Sequence, residues 1–189
     1  MLERLSISHY LSENFSENST TELLTTSIGE NVMSAENQQE RLNDRWIVGF
    51  TDGEGCFHVA INKQPKMSCG WQVLPEFRIV QHQRDIAVLE QLKEYFGCGT
   101  VCKNHDERME FRIRGSDNLN KVVAFFEKNP LRTTKQKNFV LFSEVIALMN
   151  EKKHLNSKGV QKIASIAAKM NRQKHRHAES SETIRQTLK

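Results

Sequence analysis

One short stretch constrains the fold of this chain more than any other: two glycines four residues apart, followed at once by an acidic turn. Asn43 or Asp44 is a suitable N-cap, and the apolar residues that follow predict a helix. Gly49 and Gly53 then share one face of this helix, where a second helix can approach almost backbone to backbone. Glu54 falls at the helix end, where the chain turns into the next element.

A pair of such helices has a chemical consequence. Packed about a two-fold axis, two copies bring their Glu54 carboxylates together, and divalent cations are the natural partners of such a pair. The sequence holds a single Gly-x-x-x-Gly helix followed by an acid. We therefore expect a homodimer with Gly49 and Gly53 at its interface. The alternative is that residues 52–55 form only a helix end and a turn.

Period-two alternation of apolar and polar residues follows, and it predicts two half-buried strands joined by a loop over 64–70. Helical spacing over 86–96 leads to a second strand pair at 100–104 and 109–114. Further helices are expected from Ser116 or Asp117 to residue 129, over 134–149 and near 157–171. The order over 43–149 is α-β-β-α-β-β-α-α. This order indicates an α+β fold, with a four-stranded antiparallel sheet and helices on one face.

The other face of the sheet is predicted to be open and polar, and Glu76 and Glu110 alternate onto it. A concave, basic strand surface suits the major groove of DNA. Arg78 and Arg112 suit guanine. Trp71 and Phe77 are expected in the core. Amide side chains near the strand ends suit adenine. The candidate DNA-contacting residues are His58, Asn62, Gln64, Gln72, Arg78, Asn104, Arg112 and Arg114.

The charge of the chain is unevenly divided. Residues 1–40 carry one basic and seven acidic residues, net −6, whereas the remainder carries 26 basic and 16 acidic residues, net +10. A basic body favours double-stranded DNA as partner. We divide the chain into an acidic, disordered tail (1–40), a central domain (41–153) and a basic C-terminal helical extension (154–189). No apolar run reaches the roughly 18 residues of a membrane span, so no membrane association is expected.

The four cysteines are expected to be reduced thiols, because the sequence shows no secretory signal. A zinc site remains an alternative, with Cys98 and Cys102 joined by a third ligand. Candidates for that ligand are Cys56, Cys69 and His105.

The run Trp46-Ile47-Val48-Gly49-Phe50-Thr51-Asp52-Gly53-Glu54-Gly55-Cys56-Phe57 resembles the motif that names the LAGLIDADG homing endonucleases, with residues 47–55 matching its nine positions. The resemblance covers about residues 43–150 and implies an αββαββα saddle whose sheet lies in the major groove. It also implies sequence-specific, divalent-metal-dependent double-strand DNA cleavage at a long pseudo-palindromic site, promoting mobility of a group I intron. Membership would place the gene in an organelle, a chloroplast or a mitochondrion.

The resemblance further implies roles for individual residues. Glu54 would bind two or three Mg²⁺ ions per dimer with its partner copy, helped by the Gly53 carbonyl. Gln81 and Lys135 would complete the catalytic set near the scissile phosphate. The alternatives are that Gln81 caps the following helix and that Lys135 is an ordinary solvated lysine. Asp52 is expected to cap or orient helix ends.

Two neighbours of Gln81 have weaker roles under the same resemblance: His82 as a general base and Arg84 as a residue that orients water. Two rival functions also remain. An RNA maturase or DNA-binding regulator would keep the fold without cutting DNA, and a plain transcription factor would need no acid at the dimer axis.

Overall fold

The structure is a computed structural model that describes residues 42–170. The predicted acidic tail and the basic stretch beyond residue 170 lie outside this range. The helices are α1 (Asp44–Glu54), α2 (Ile86–Phe96), α3 (Ser116–Lys128), α4 (Lys135–Asn150) and α5 (Ser157–Ala167). The strands are β1 (Gly55–Lys63), β2 (Trp71–His82), β3 (Thr100–His105) and β4 (Arg108–Ile113). The predicted element order and α+β class are confirmed.

The four strands form one antiparallel sheet in the order β1-β2-β4-β3. The central strand β2 pairs with β1 from Trp71 to Ile79 and with β4 from Phe77 onward. Gly55, the first residue of β1, lies opposite Ile79. The last residues of β2 therefore run past the start of β1, to the end of the sheet where α1 finishes.

The helices cover one face of the sheet with an aromatic core. Phe57 of β1 lies within 5.5 Å, ring centre to ring centre, of Phe77, Phe126 and Phe142. Burying one such side chain stabilises the fold by about 1.5–3 kcal/mol. Trp71 and Phe77 are both buried, which confirms their predicted place in the core.

Helix α5 belongs to the same core, because Val160 and Ile163 are fully buried in it. A close backbone contact secures its start: a Cβ at Gly159 would lie 1.9 Å from the Lys153 carbonyl oxygen. The helix α5, which lies in the predicted C-terminal extension, is therefore packed against the domain placed at 41–153.

The predicted N-cap of α1 is confirmed. Asn43 caps α1 by accepting a 2.9 Å hydrogen bond from the Trp46 amide, and Gly97 ends α2 in the left-handed region at φ 59°. The predicted cap of α3 is wrong. The chain enters α3 through Gly115 at φ 86°, and the Ser116 hydroxyl donates to Asn150 at 2.7 Å.

The N-terminal end of α1 is anchored to α2 and to the residue that follows α3. The Tyr95 hydroxyl donates a 2.5 Å hydrogen bond to the Asp44 carboxylate, which also accepts from the Asn129 side chain at 3.3 Å. Burial, with this bond to Asp44, raises the pKa of Tyr95 to about 12. The α1 helix is thus held at its start, and its far end is positioned relative to the sheet.

Across residues 42–170, no helix is long and apolar enough to cross a bilayer.

Candidate active site

The C-terminal end of α1 is capped by a lysine from a distant part of the chain. The Lys135 ammonium, at the first residue of α4, donates to the Thr51 carbonyl at 2.9 Å and the Gly53 carbonyl at 3.2 Å. The last carbonyls of a helix lack intrahelical partners and carry partial negative charge, so a cation is favourable there. The alternative of an ordinary solvated lysine does not fit these contacts.

The charge of Lys135 is influenced by its surroundings. Burial lowers the pKa of Lys135 below its ordinary value of 10.5, against the opposing attraction of Cys56, Asp52 and Glu54. Lys135 is thus a half-buried ammonium beside two carboxylates.

Asp52 ties the same helix end to the segment that leads into α4. Its carboxylate accepts from the Arg132 amide at 2.7 Å, the Thr133 amide at 3.2 Å and the Thr133 hydroxyl at 2.7 Å. Burial acts to raise the pKa of Asp52, but these hydrogen bonds and Lys135 hold it below its ordinary value of 3.8. Asp52 thus orients a helix end, as expected, and positions Lys135.

Glu54 and Gln81 lie at the same end of the sheet. Glu54 is the last residue of α1 and is exposed, immediately before the pairing of Gly55 with Ile79. Gln81 lies two residues beyond Ile79 on β2, opposite Met109 of β4. The structure therefore places Glu54 and Lys135 together at the end of α1, and Gln81 at the same end of the sheet.

The oxygen atoms at this end fit a hard divalent cation. Carboxylate and carbonyl oxygens are the ligands that Mg²⁺ prefers. One chain supplies the Glu54 carboxylate, and the Gly53 carbonyl already accepts from Lys135, so a cation there would use the second lone pair of that oxygen. No group of three His, Cys, Asp or Glu side chains within residues 42–170 is placed to hold a metal. A complete site of this kind would need a second Glu54.

The residues after Gln81 are engaged elsewhere. His82, rather than Gln81, caps the next turn, since its Nδ1 accepts from the Arg84 amide at 3.2 Å. Its Nε2 lies 3.1 Å from the Glu107 carboxylate. Both ring nitrogens of His82 thus have partners, which disfavours a general base there. Arg84 is exposed and pairs with Asp85 at 3.4 Å.

The α1 face that carries the two glycines is open. A Cβ built at Gly49 or at Gly53 would meet nothing within 4 Å. Trp46 and Phe50 flank this stripe, stacked with ring centres 4.6 Å apart, and Trp46 remains 37% exposed. Within residues 42–170, no other part of the chain covers the glycine positions of this face.

The open face of the sheet is less exposed than expected, because two acids are buried on it. Glu76 and Glu110 are only 6% and 4% exposed. Glu76 accepts from Arg114 at 2.6 Å, and Glu110 accepts from Asn104 at 3.2 Å. The alternation of the strands predicted the face of both acids correctly. It did not show that arginine side chains cover them.

The candidate DNA-contacting residues fall into two groups on this face. Arg78, Arg112, Arg114 and Asn104 gather around the two glutamates, and His58 lies opposite Glu76 in the sheet register. Asn62 pairs with Gln72 at the other end of β1, next to Gln64 in the following loop.

Glu76 and Glu110 were placed on this face by the sequence, but they were not among the residues predicted to act in the site. The signal was present in the sequence, because a glutamate precedes an arginine by two positions in both strands.

The cysteines are all free in the described range, and no third ligand joins Cys98 and Cys102 there, so the zinc alternative gains no support.

Comparison with known proteins agrees with this geometry. The family profile described as LAGLIDADG endonuclease matches residues 47–146. "Probable intron-encoded endonuclease 2" of Neurospora crassa is 36% identical over 133 residues, 69% of this chain and 29% of that protein. "Uncharacterized 50.9 kDa protein in ND4 intron 1" of Podospora anserina is 33% identical over 115 residues, 59% of this chain and 26% of that protein. The chain thus spans less than a third of these curated relatives.

Solved structures show the same likeness. The homing endonuclease I-TnaI is 48% identical with a TM-score of 0.73, over 78% of this chain and 99% of that one. The LAGLIDADG homing endonuclease I-SmaMI, bound to cleaved DNA, is 34% identical with a TM-score of 0.71, over 76% of this chain and 49% of that one. I-SmaMI bound to an uncleaved DNA target with calcium ions matches at 35% identity and the same TM-score, over 75% of this chain and 49% of that one. With more than half of its residues matched by the family profile, the chain belongs to the LAGLIDADG endonuclease family.

Proposed function

We propose that this chain is a homing endonuclease that cuts both strands of DNA at a long, pseudo-palindromic site and promotes intron mobility. The observation that carries the proposal is the placement of the half-buried Lys135 ammonium on the Gly53 carbonyl, beside the exposed Glu54. A DNA-binding regulator or a maturase has no need of a cation and a carboxylate at this position. The DNA-bound states of I-SmaMI support the same substrate class.

The proposed active unit is a homodimer. Gly49 and Gly53 leave the exposed face of α1 open for a second α1 helix at close range. Such a pair would bring the two Glu54 side chains to one axis. I-SmaMI supports this arrangement, since the present chain matches about half of it. A two-fold protein reads a two-fold DNA site most naturally.

The proposed cofactor is Mg²⁺, two or three ions per dimer, held by Glu54 with help from the Gly53 carbonyl. A divalent cation, when bound, supplies activation of water and stabilisation of the leaving oxygen in phosphodiester hydrolysis. Lys135 would hold a scissile phosphate: its two bonds to α1 leave one ammonium N–H for a phosphate oxygen. The Gln81 amide, at the end of β2, would order the attacking water.

We assign DNA reading to the open face of the sheet, with the eight side chains predicted from the sequence as its contacts. In this proposal, residues 41–153 and the helix α5 packed against them form the reading and cutting unit, residues 1–40 are a tail, and the rest of 154–189 is an extension. An organelle genome is the proposed source, and the relative named for ND4 intron 1 favours a mitochondrion.

The test begins by selecting a duplex with the full chain from a randomised DNA library. The selected duplex is then incubated with the chain in Mg²⁺, in Ca²⁺ and in a chelator. We expect double-strand cleavage inside the selected site in Mg²⁺ and none in the chelator. Selection without cleavage would favour the regulator. No selection of DNA, combined with stimulation of intron splicing, would favour the maturase.

A further inference from the structure

Five charged residues cross the centre of the DNA-facing sheet in alternating sign: Arg114, Glu76, Arg78, Glu110 and Arg112, hereafter the Glu–Arg network. Glu76 accepts from Arg114 through Nε at 2.8 Å and Nη2 at 2.6 Å. Arg78 Nη1 lies 3.4 Å from Glu76 and 3.9 Å from Glu110. Arg112 Nη1 lies 3.3 Å from Glu110. The network thus connects β2 with β4 through five side chains.

The strand register gives Glu110 a role between two arginines. Arg78 and Arg112 are direct partners across β2 and β4. Like charges in directly opposite positions repel each other and destabilise a strand pair. Glu110 lies two residues before Arg112, on the same face, and its carboxylate contacts both arginines. Without it, two guanidinium groups would be forced apart, away from the middle of the sheet.

The glutamates are too deeply buried to be DNA contacts themselves. Their side chains are 7% and 6% exposed, whereas those of Arg78, Arg112 and Arg114 are 34%, 30% and 52% exposed. DNA that lies on this face would meet the arginines, and the carboxylates would lie behind them. Any effect of the glutamates on DNA therefore acts through the arginines, by setting their position and by offsetting their charge.

An arginine side chain held in one orientation discriminates between DNA sequences better than a mobile one. An unrestrained guanidinium binds any phosphate it can reach, and such binding is independent of sequence. A guanidinium held in one orientation can present two N–H groups to the edge of a guanine. The two carboxylates also offset two of the three positive charges, so the centre of the sheet attracts phosphate weakly.

We propose that Glu76 and Glu110 are specificity-determining positioning residues, which hold Arg78, Arg112 and Arg114 for base readout and keep them from phosphates. This inference rests on the proposed function, since it needs a chain that binds a selected DNA sequence. Its measured quantity is the specificity ratio, the affinity for the selected duplex divided by that for a shuffled duplex.

Two variants of Glu110 test the proposal. Glu110→Gln removes the charge, so we expect tighter binding to the shuffled duplex, a log affinity–log salt slope steeper by about one, and a specificity ratio lower by about tenfold. Glu110→Asp keeps the charge but draws the carboxylate back. It should leave the salt slope unchanged and still lower the specificity ratio several-fold. Because this variant keeps the charge balance of the network, it is expected to fold even if Glu110→Gln does not.

The matched control is Glu127→Gln, which removes one exposed carboxylate from α3, on the helical side of the sheet. We expect it to leave the ratio within twofold of wild type. A purely structural role predicts that both affinities fall in parallel with the folded fraction, at constant ratio. That result, a wild-type ratio in folded Glu110→Asp, or an equal drop in the control would overturn the proposal. A wild-type chain that selects no duplex would instead contradict the proposed function.

Discussion

The Lys135 ammonium lies 2.9 Å from the Thr51 carbonyl oxygen, although 84 residues separate the two in the chain. The contact joins the start of α4 to the end of α1 and places a cation beside Glu54. Asp52 secures the same junction through the Arg132 and Thr133 amides. The proposed active site therefore lies where the ends of two helices meet, at one end of the sheet.

Lys135→Ala should slow single-turnover cleavage by roughly 10- to 10³-fold, the range for removing one group that stabilises transition-state charge. Affinity for the selected duplex should change little, because the strands carry the reading surface. Lys137→Ala, two residues along α4 and exposed, is the matched control and should cut at the wild-type rate. Equal rates for the two variants would show that Lys135 only caps α1.

Glu54→Gln should abolish cleavage while affinity for the selected duplex stays within a few-fold of wild type. The exposed carboxylate is proposed to serve the cation rather than the bases, and the amide cannot replace its charge. Plasmid cleavage in Mg²⁺ and a binding titration in Ca²⁺ measure the two effects separately. Glu94→Gln, which neutralises an exposed acid on α2, is the control. Normal cutting by Glu54→Gln would move the active site elsewhere.

Asp52→Asn should lower the free energy of unfolding by about 1–2 kcal/mol at neutral pH, as expected for weakening a charged cap. Since the folded-state pKa of Asp52 is lowered, its contribution is fully present above its ordinary value of 3.8 and is lost as pH falls below it. The gap between variant and wild type should therefore close in acid. Denaturant titrations at several pH values measure it, with the exposed Asp117→Asn as control. A gap that is constant through this range would contradict the assignment.

Gly49→Leu should dissociate the proposed homodimer without unfolding the monomer. No atom lies within 4 Å of a Cβ at Gly49, and leucine favours a helix over glycine by about 0.5–1 kcal/mol. Sedimentation should thus show monomers whose thermal midpoint is not lowered. Ala124→Leu, at an exposed position of α3, controls for added surface hydrophobicity. Dimers that persist in Gly49→Leu at wild-type affinity would exclude this face as the interface.

Local patterns were sufficient for most of the fold. Alternation along β1 and β2 and helical spacing in α2 depend on neighbouring residues alone, because a side chain's face follows from its position in the strand or helix. The same rule put Gly49 and Gly53 on one helix face and Arg78 on the open side of the sheet. The predicted side-chain cap of α3 was wrong, because Gly115, at positive φ, precedes the helix instead.

Distances between remote segments had to come from the tertiary structure. Sequence spacing placed Lys135 at a helix start, but only the packing of α4 against β1 and β2 brought its ammonium to the carbonyls of α1. Alternation placed Glu76 and Glu110 on the reading face, but only the pairing of β2 with β4 buried them beneath arginines. The sequence by itself determined which residues form each element and which way they face, since these follow from local periodicity. The tertiary structure decided which charges meet, because strand register and helix docking set those distances.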